Sequence, residues 1–181
     1  MAYAASSSGV GAATDDVFFT TETITPAKEG FTVNVNGKNQ SGWRTLSTKE
    51  WQYLFNTRTF NNGANIGEGN SYQRATINSD ATSVYGVILY PDNYTLQTGA
   101  TSYTSKEWTT MEENGCVFLP AAGIRTGSGV YGVGGGGVCW SSTANDESSA
   151  YDVFFNSLNV YPDHGDARDY GYSVRLITEV K

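Results

Sequence analysis

The residues best suited to chemistry lie near the end of the chain. Asn145, Asp146, Tyr151, Asp152, Phe154, Tyr161, Asp163, His164, Asp166, Asp169, Tyr170 and Tyr172 crowd acids, phenols and the single histidine of the chain into one stretch. A Ser/His/Asp relay needs a histidine fixed beside a nucleophile. His164 stands in a polar run that reads as a loop, so such a relay is not expected. A glycosidase-type carboxylate pair could be drawn from residues 163–169, but acids are common in any polar loop and no spacing singles out two of them. The same oxygens could hold calcium weakly, yet their spacing is not that of an EF-hand, and solvated acids are the plainer reading. Recognition fits better. Tyrosine offers a large contact area with few rotors to freeze, while Ser, Gly and Asp offer adaptable hydrogen bonds, which is the mixture used by antibody loops. These residues are the expected ligand-binding set. No catalytic residue, metal or cofactor is expected, and the chain does not read as an enzyme.

Strands must position them. Residues 150–155 separate two faces, with Val153 and Phe155 turned to a core, Tyr151 displaced relative to them, and Asp152 and Phe154 turned outward. An exposed Phe beside Asp and Tyr suits a binding face. Residues 159–161 and 173–177 read as further strands, joined by a long polar loop over 163–172. Trp140 is expected in the core. Ser141 and Ser142 are expected to cap loop backbone, Arg168 and Arg175 to hold loop carbonyls or a carboxylate, and Gly171 to take a positive φ.

Upstream, the pattern predicts a helix opening at Ser47, boxed by Glu50, with Trp51, Leu54 and Phe55 on one face. A second helix opens at Thr104 with Glu107 as its box partner, carrying Trp108 and Met111. Strands are expected at 17–21, at 31–35 before an Asn36-Gly37 turn, near 72–77 inside an otherwise long loop over 56–82, at 85–90 and at 116–119, where Pro120 stops the run. A glycine loop through Gly132 and residues 134–137 leads into Val138-Cys139-Trp140. Residues 1–16 read as a linker or disordered arm.

With 181 residues, 39% of them hydrophobic, the chain fits one domain with one ordinary core. Twenty-one glycines and twelve tyrosines against two methionines point to short strands and ordered loops rather than a helical bundle. The net charge of −7 repels phosphate backbones, so nucleic acid is excluded as a partner, and so is simple docking on anionic lipid. No apolar run approaches the roughly 18–20 residues that span a bilayer, so no membrane insertion is expected. The first residues lack the basic and apolar regions of a signal peptide. Cys116 and Cys139 leave three readings open: two small buried hydrophobes, one bridge, or a catalytic or metal role.

Five motifs in fixed order carry a resemblance: GWRTLSTKEWQYLF, YGVILYPDNY, KEWTTMEENGCVFLPAAGIR, VCWSSTAND and RDYGYSVRLI. Together they resemble the formylglycine-generating-enzyme branch of the C-type-lectin-like fold, and more closely the major paralogous domains of gut bacteria and their phages, over residues 42–178. The resemblance implies an α+β C-type-lectin-like fold, two helices with short antiparallel strands and long ordered loops. It divides the chain into an N-terminal arm with the first strands over 1–41 and a lectin-like domain over 42–181.

Some members of that family are variable proteins of diversity-generating retroelements, in which template adenines are mutagenised. Asn145, Asp146, Ser148, Tyr151, Asp152, Phe154, Tyr161, Asp163, His164, Gly165, Asp166, Asp169, Tyr170 and Tyr172 are all reachable from an AAY codon by changing adenines alone. Trp140, Ser141, Ser142, Ala150, Val153, Phe155, Pro162, Arg168, Gly171, Ser173, Val174 and Arg175 stand between them as fixed positions, and Glu147 departs from the pattern. The resemblance thus implies a hypervariable ligand-binding region over about 140–175, a protein or glycan ligand on a cell surface, and an extracellular, cell-surface or virion setting. A fixed-specificity adhesin or carbohydrate-binding module of the same fold is the alternative. Formylglycine-generating activity is disfavoured because no cysteine follows Trp140, and the calcium-dependent sugar motifs of true C-type lectins are not present.

Overall fold

A computed structural model of the chain describes residues 31–35, 38–57, 72–91, 94 and 100–177. The strand expected at 17–21, the Asn36-Gly37 turn and the arm over 1–16 lie outside them. The architecture is α+β, mostly strands with two short α-helices and no closed barrel among the described residues.

Both helices start where local chemistry dictates. Helix α1 (Thr48–Gln52) is capped by Ser47, whose hydroxyl accepts from the Glu50 N–H at 3.3 Å while the Glu50 carboxylate accepts from the Ser47 N–H at 2.8 Å. Arg44 grips the same carboxylate at 2.8 Å. The helix does not continue as α to residue 55; Tyr53–Thr57 form a π-helical turn. Trp51 and Phe55 still reach the core together, their rings 6.0 Å apart. Helix α2 (Ser105–Glu113) repeats the device with Thr104 and Glu107. Replacing Ser47 by alanine is expected to cost about 1 kcal/mol in thermal unfolding, the usual loss for an N-cap. A loss below a few tenths would mean that Arg44 and Glu50 hold the helix start without it.

Strands β1 (Phe31–Val35), β2 (Lys38–Thr45), β3 (Tyr72–Asn78), β4 (Ser83–Leu89), β5 (Ser102–Thr104) and β6 (Val117–Pro120) lead to a short hairpin of β7 (Ile124–Thr126) and β8 (Gly129–Tyr131) that the sequence pattern did not reveal. Then come β9 (Gly136–Ala144), β10 (Ser149–Asn156), β11 (Val160–Ala167) and β12 (Leu176–Ile177). The larger sheets run β5-β3-β4-β6 and β11-β10-β9, and β2 lies between β1 and β12. Residues 163–167, expected in a loop, belong to β11. Its alternate residues Pro162, His164 and Asp166 face inward, and two of them are polar, so period-two hydrophobicity is hidden.

One core lies between α1 and both larger sheets: Trp51 and Phe55, Val87 and Leu89, Leu119, Cys139, Val153 and Phe155. A second lies under α2, where Ile88, Tyr90, Met111 and Cys116 meet. β4 feeds both, which is why it reads as a continuous apolar run. The two cysteines sit in different cores, free and buried, so no bridge joins them. Burial pushes the Cys116 thiol up to about 11 and that of Cys139 to about 12. Among the described residues no helix is long and apolar enough to cross a membrane.

Candidate functional site

β10 is the central strand of its sheet and its two faces do different work. Val153 and Phe155 point to the α1 core and are fully buried, as their spacing predicts. The opposite face carries Ala150, Asp152 and Phe154. It does not open to solvent throughout. Trp140 on β9 pairs with Asp152 across the ladder, and the returning segment after Arg168 lays Tyr172 against Trp140, their ring centroids 4.5 Å apart. Val138, Trp140, Ala150 and Tyr172 make a third apolar cluster there. Two expected display residues are therefore corrected. Asp152 is 0% exposed and Tyr172 only 7%, because the Trp140 layer covers the face that strand alternation alone leaves outward.

Around this floor the remaining residues gather. The β10–β11 register shifts between Asp152 and Phe154: Asp152 opposes His164, but Phe154 opposes Tyr161. One extra residue in β11 thereby brings Tyr161 beside Phe154, stacked at 6.2 Å and 19°. Phe154 also lies 5.5 Å from the His164 ring. Tyr170 continues the aromatic row at 5.7 Å from Tyr172.

Polar groups converge below the row. His164 Nδ1 lies 3.1 and 3.3 Å from the two Asp152 carboxylate oxygens and 3.5 Å from Asp166 Oδ2. Tyr172 donates its hydroxyl to Asp166 Oδ2 at 2.5 Å. Burial raises the Asp152 carboxyl well above its ordinary value, His164 pulls it down, and Asp166 pushes it up again. Burial and the bond to Asp166 raise the Tyr172 phenol, keeping it a neutral donor.

Tyr151, Asn145 and Asp163 fall on the other side, against α1. With Thr48, Gln52, Thr143 and Ala144 they line a pocket of about 330 Å³. Gln52 donates to Asp163 at 3.1 Å across its mouth. Nothing in the helix pattern marked Gln52 as a surface residue of this site; its place one turn after Thr48, beside β11, was the only available signal.

Asp146 has a structural task. Its Oδ1 accepts from the backbone N–H groups of Ser148 and Ser149, both at 2.7 Å, and these bonds with the two serines hold its carboxyl down to about 2. Arg168 is buried and grips the same turn from below, donating to the Ser149 carbonyl at 3.0 Å and the Asp146 carbonyl at 2.7 Å, as its position implied. Arg175 is exposed, and so is Asp169. Ser141 accepts from the Thr143 N–H at 2.9 Å and contacts the Thr48 hydroxyl at 3.0 Å, tying β9 to α1. Gly171 is not among the positive-φ glycines. Its lack of a side chain serves close approach instead: a Cβ there would stand 2.9 Å from that of Arg125, whose backbone it bridges.

Apart from Asp169, the candidate residues thus form one aromatic and acidic face, one polar pocket behind it, and a turn between β9 and β10. No protein-family model, characterised protein or solved structure matches the chain.

Proposed function

We propose that the chain is a non-catalytic recognition domain that displays exchangeable side chains from β10, β11 and their flanking turns, on a C-type-lectin-like scaffold diversified by a retroelement. One observation carries this reading. Burial divides the segment much as template adenines would. Trp140, Ser141, Ser142, Ala150, Val153, Phe155, Pro162 and Arg168, eight of the twelve positions read above as fixed, are buried. Asn145, Asp146, Ser148, Tyr161, Asp163, Gly165 and Asp169 are exposed, and Tyr151, Phe154, His164, Asp166 and Tyr170 are half-buried. Asp152 and Tyr172 cross the line from one side; from the other, Arg175 is exposed and Gly171, Ser173 and Val174 are half-buried. A rigid frame with loose display positions is what a variable binding face requires, and the expected partner is a protein or glycan on a cell surface.

Sequencing the DNA around the coding region tests the diversification. The expected result is a near-identical copy of the segment encoding residues 140–175, with adenines at the exchangeable codons, beside a reverse transcriptase gene. Without such a copy, the reading becomes a fixed-specificity adhesin or carbohydrate-binding module. The Phe154–Tyr161 stack favours that second reading, since an exposed aromatic face can carry a sugar ring.

Display also predicts a separation of binding from stability. A combined Tyr161→Ser, Asp163→Ser and Asp169→Ser variant is expected to shift Tm by less than about 3 °C. In a display library randomised at these positions, most clones are expected to fold and bind different targets. A drop in Tm on the order of 10 °C would assign these residues to the frame.

A further inference from the structure

We propose that Asp152, His164 and Asp166 form a binding site for a divalent transition-metal ion of the zinc type, with Tyr172 orienting Asp166 and one coordination position turned toward solvent. This goes beyond recognition by the face as a whole, which needs no ion. It also differs from a calcium loop over 163–169, because the ligand set draws Asp152 from the neighbouring strand.

Geometry is the first argument. A ring nitrogen and two carboxylate oxygens, one from each residue, all lie within 4.8 Å of one another. Zinc bonds nitrogen and oxygen at about 2.0–2.2 Å, so two ligands at a tetrahedral angle stand roughly 3.3–3.5 Å apart. The separations of Nδ1 from the carboxylate oxygens, 3.1 and 3.3 Å to Asp152 and 3.5 Å to Asp166, fall in or near that range. Small side-chain shifts would seat an ion between them.

Burial is the second argument. Asp152 is 0% exposed and aimed into the cluster, and a buried carboxylate demands a cation or several donors. Among the described residues, the charged groups acting on it are His164 and Asp166, and the second is itself an acid. A single Nδ1 carries one hydrogen at most and faces both Asp152 oxygens. An ion supplies positive charge to both acids at once.

The surroundings fit as well. Metal-bound carboxylates are oriented by outer hydrogen bonds, and the Tyr172 hydroxyl makes one to Asp166. Trp140 and Tyr172 wall the site with apolar surface. The side chains of His164 and Asp166 are 39% and 29% exposed, which leaves an entry path and a free position. An imidazole among the ligands favours zinc, cobalt or nickel over calcium or magnesium, which prefer oxygen alone.

The test uses the untagged full chain, stripped with chelator, then titrated with Zn²⁺ in a calorimeter and with Co²⁺ in a spectrophotometer. The expected result is one ion per chain, visible cobalt d–d absorption and a higher Tm with zinc. His164→Gln, at a half-exposed position that leaves the fold intact by circular dichroism, should weaken zinc binding by about 100-fold or more. Tyr172→Phe keeps the ring and should weaken it about tenfold, the usual scale of an outer-shell loss. Asp163→Asn, on the other face, should change nothing. No uptake up to about 1 mM zinc, a sulfur-to-cobalt charge-transfer band from Cys116 or Cys139, or unchanged binding in His164→Gln would each overturn the proposal, leaving an imidazole in contact with two acids and no ion. Those outcomes leave the display reading standing, and a missing template repeat leaves the metal site standing.

Discussion

Trp140→Ala is expected to destabilise the chain by about 3–5 kcal/mol, the range for truncating a buried aromatic. Trp140 is 2% exposed and lies at the centre of the cluster with Val138, Ala150 and Tyr172. Its removal leaves a void that β9 cannot close, because the strand is hydrogen-bonded to β10 on one side and bridged to Ser173 on the other. The damage should spread upward. Tyr172 loses the ring it packs on, and its bond to Asp166 loses its anchor. Urea unfolding at unchanged m-value checks the figure. A loss under about 1 kcal/mol would mean that Tyr172 collapses into the gap and that the floor of the face is pliable.

Gly123→Ala is expected to cost about 3 kcal/mol, from two sources. Gly123 has φ of 70°, where a side chain costs roughly 1–2 kcal/mol. An added Cβ would also stand 2.2 Å from the Tyr131 carbonyl oxygen and 2.8 Å from the Val133 nitrogen. These are backbone atoms of the last residue of β8 and of the turn after it and cannot swing aside as a side-chain tip does, so overpacking adds about 1–3 kcal/mol. The same residue pairs with Gly137 at the start of β9, and its N–H donates to the Gly136 carbonyl at 2.9 Å. Displacing it therefore loosens the glycine loop that launches β9. At roughly 2–4 °C per kcal/mol, Tm should fall by about 6–12 °C. Gly127→Ala separates the two sources: φ there is 55° with nothing within 4 Å of the added carbon. A drop equal to that of Gly123→Ala would remove the clash from the explanation.

What could be read in advance was local or repetitive. Ser47 with Glu50 and Thr104 with Glu107 mark helix starts because both bonds of a capping box close within four residues. Tyr85 to Tyr90 read as a buried strand because both of its faces meet apolar neighbours. Val153 and Phe155 followed from period two. Two of the misreadings share a cause: each depended on a neighbour distant in sequence. Asp152 is buried by Trp140 and Tyr172, which lie on either side of it in sequence and touch each other. The register shift that places Tyr161 beside Phe154 has no signature in either strand alone. The β7–β8 hairpin is too short for any period to emerge, and residues 163–167 were hidden by polar side chains at inward positions.

β11 closes one side of its sheet, hydrogen-bonded to β10 and to no further strand among the described residues. Such a border offers unsatisfied amides and carbonyls to any passing extended chain, including another copy. Pro162 removes one donor from that border, and the carboxylates of Asp163, His164's neighbour, and Asp166 give it a negative charge that two copies would share and repel. The acids of this strand thus act as guards against self-association, beside the partner contacts proposed for the face. Neutral replacements along β11 would broaden what the face can touch and at the same time lower the barrier to aggregation, so solubility itself limits which side chains the strand can carry.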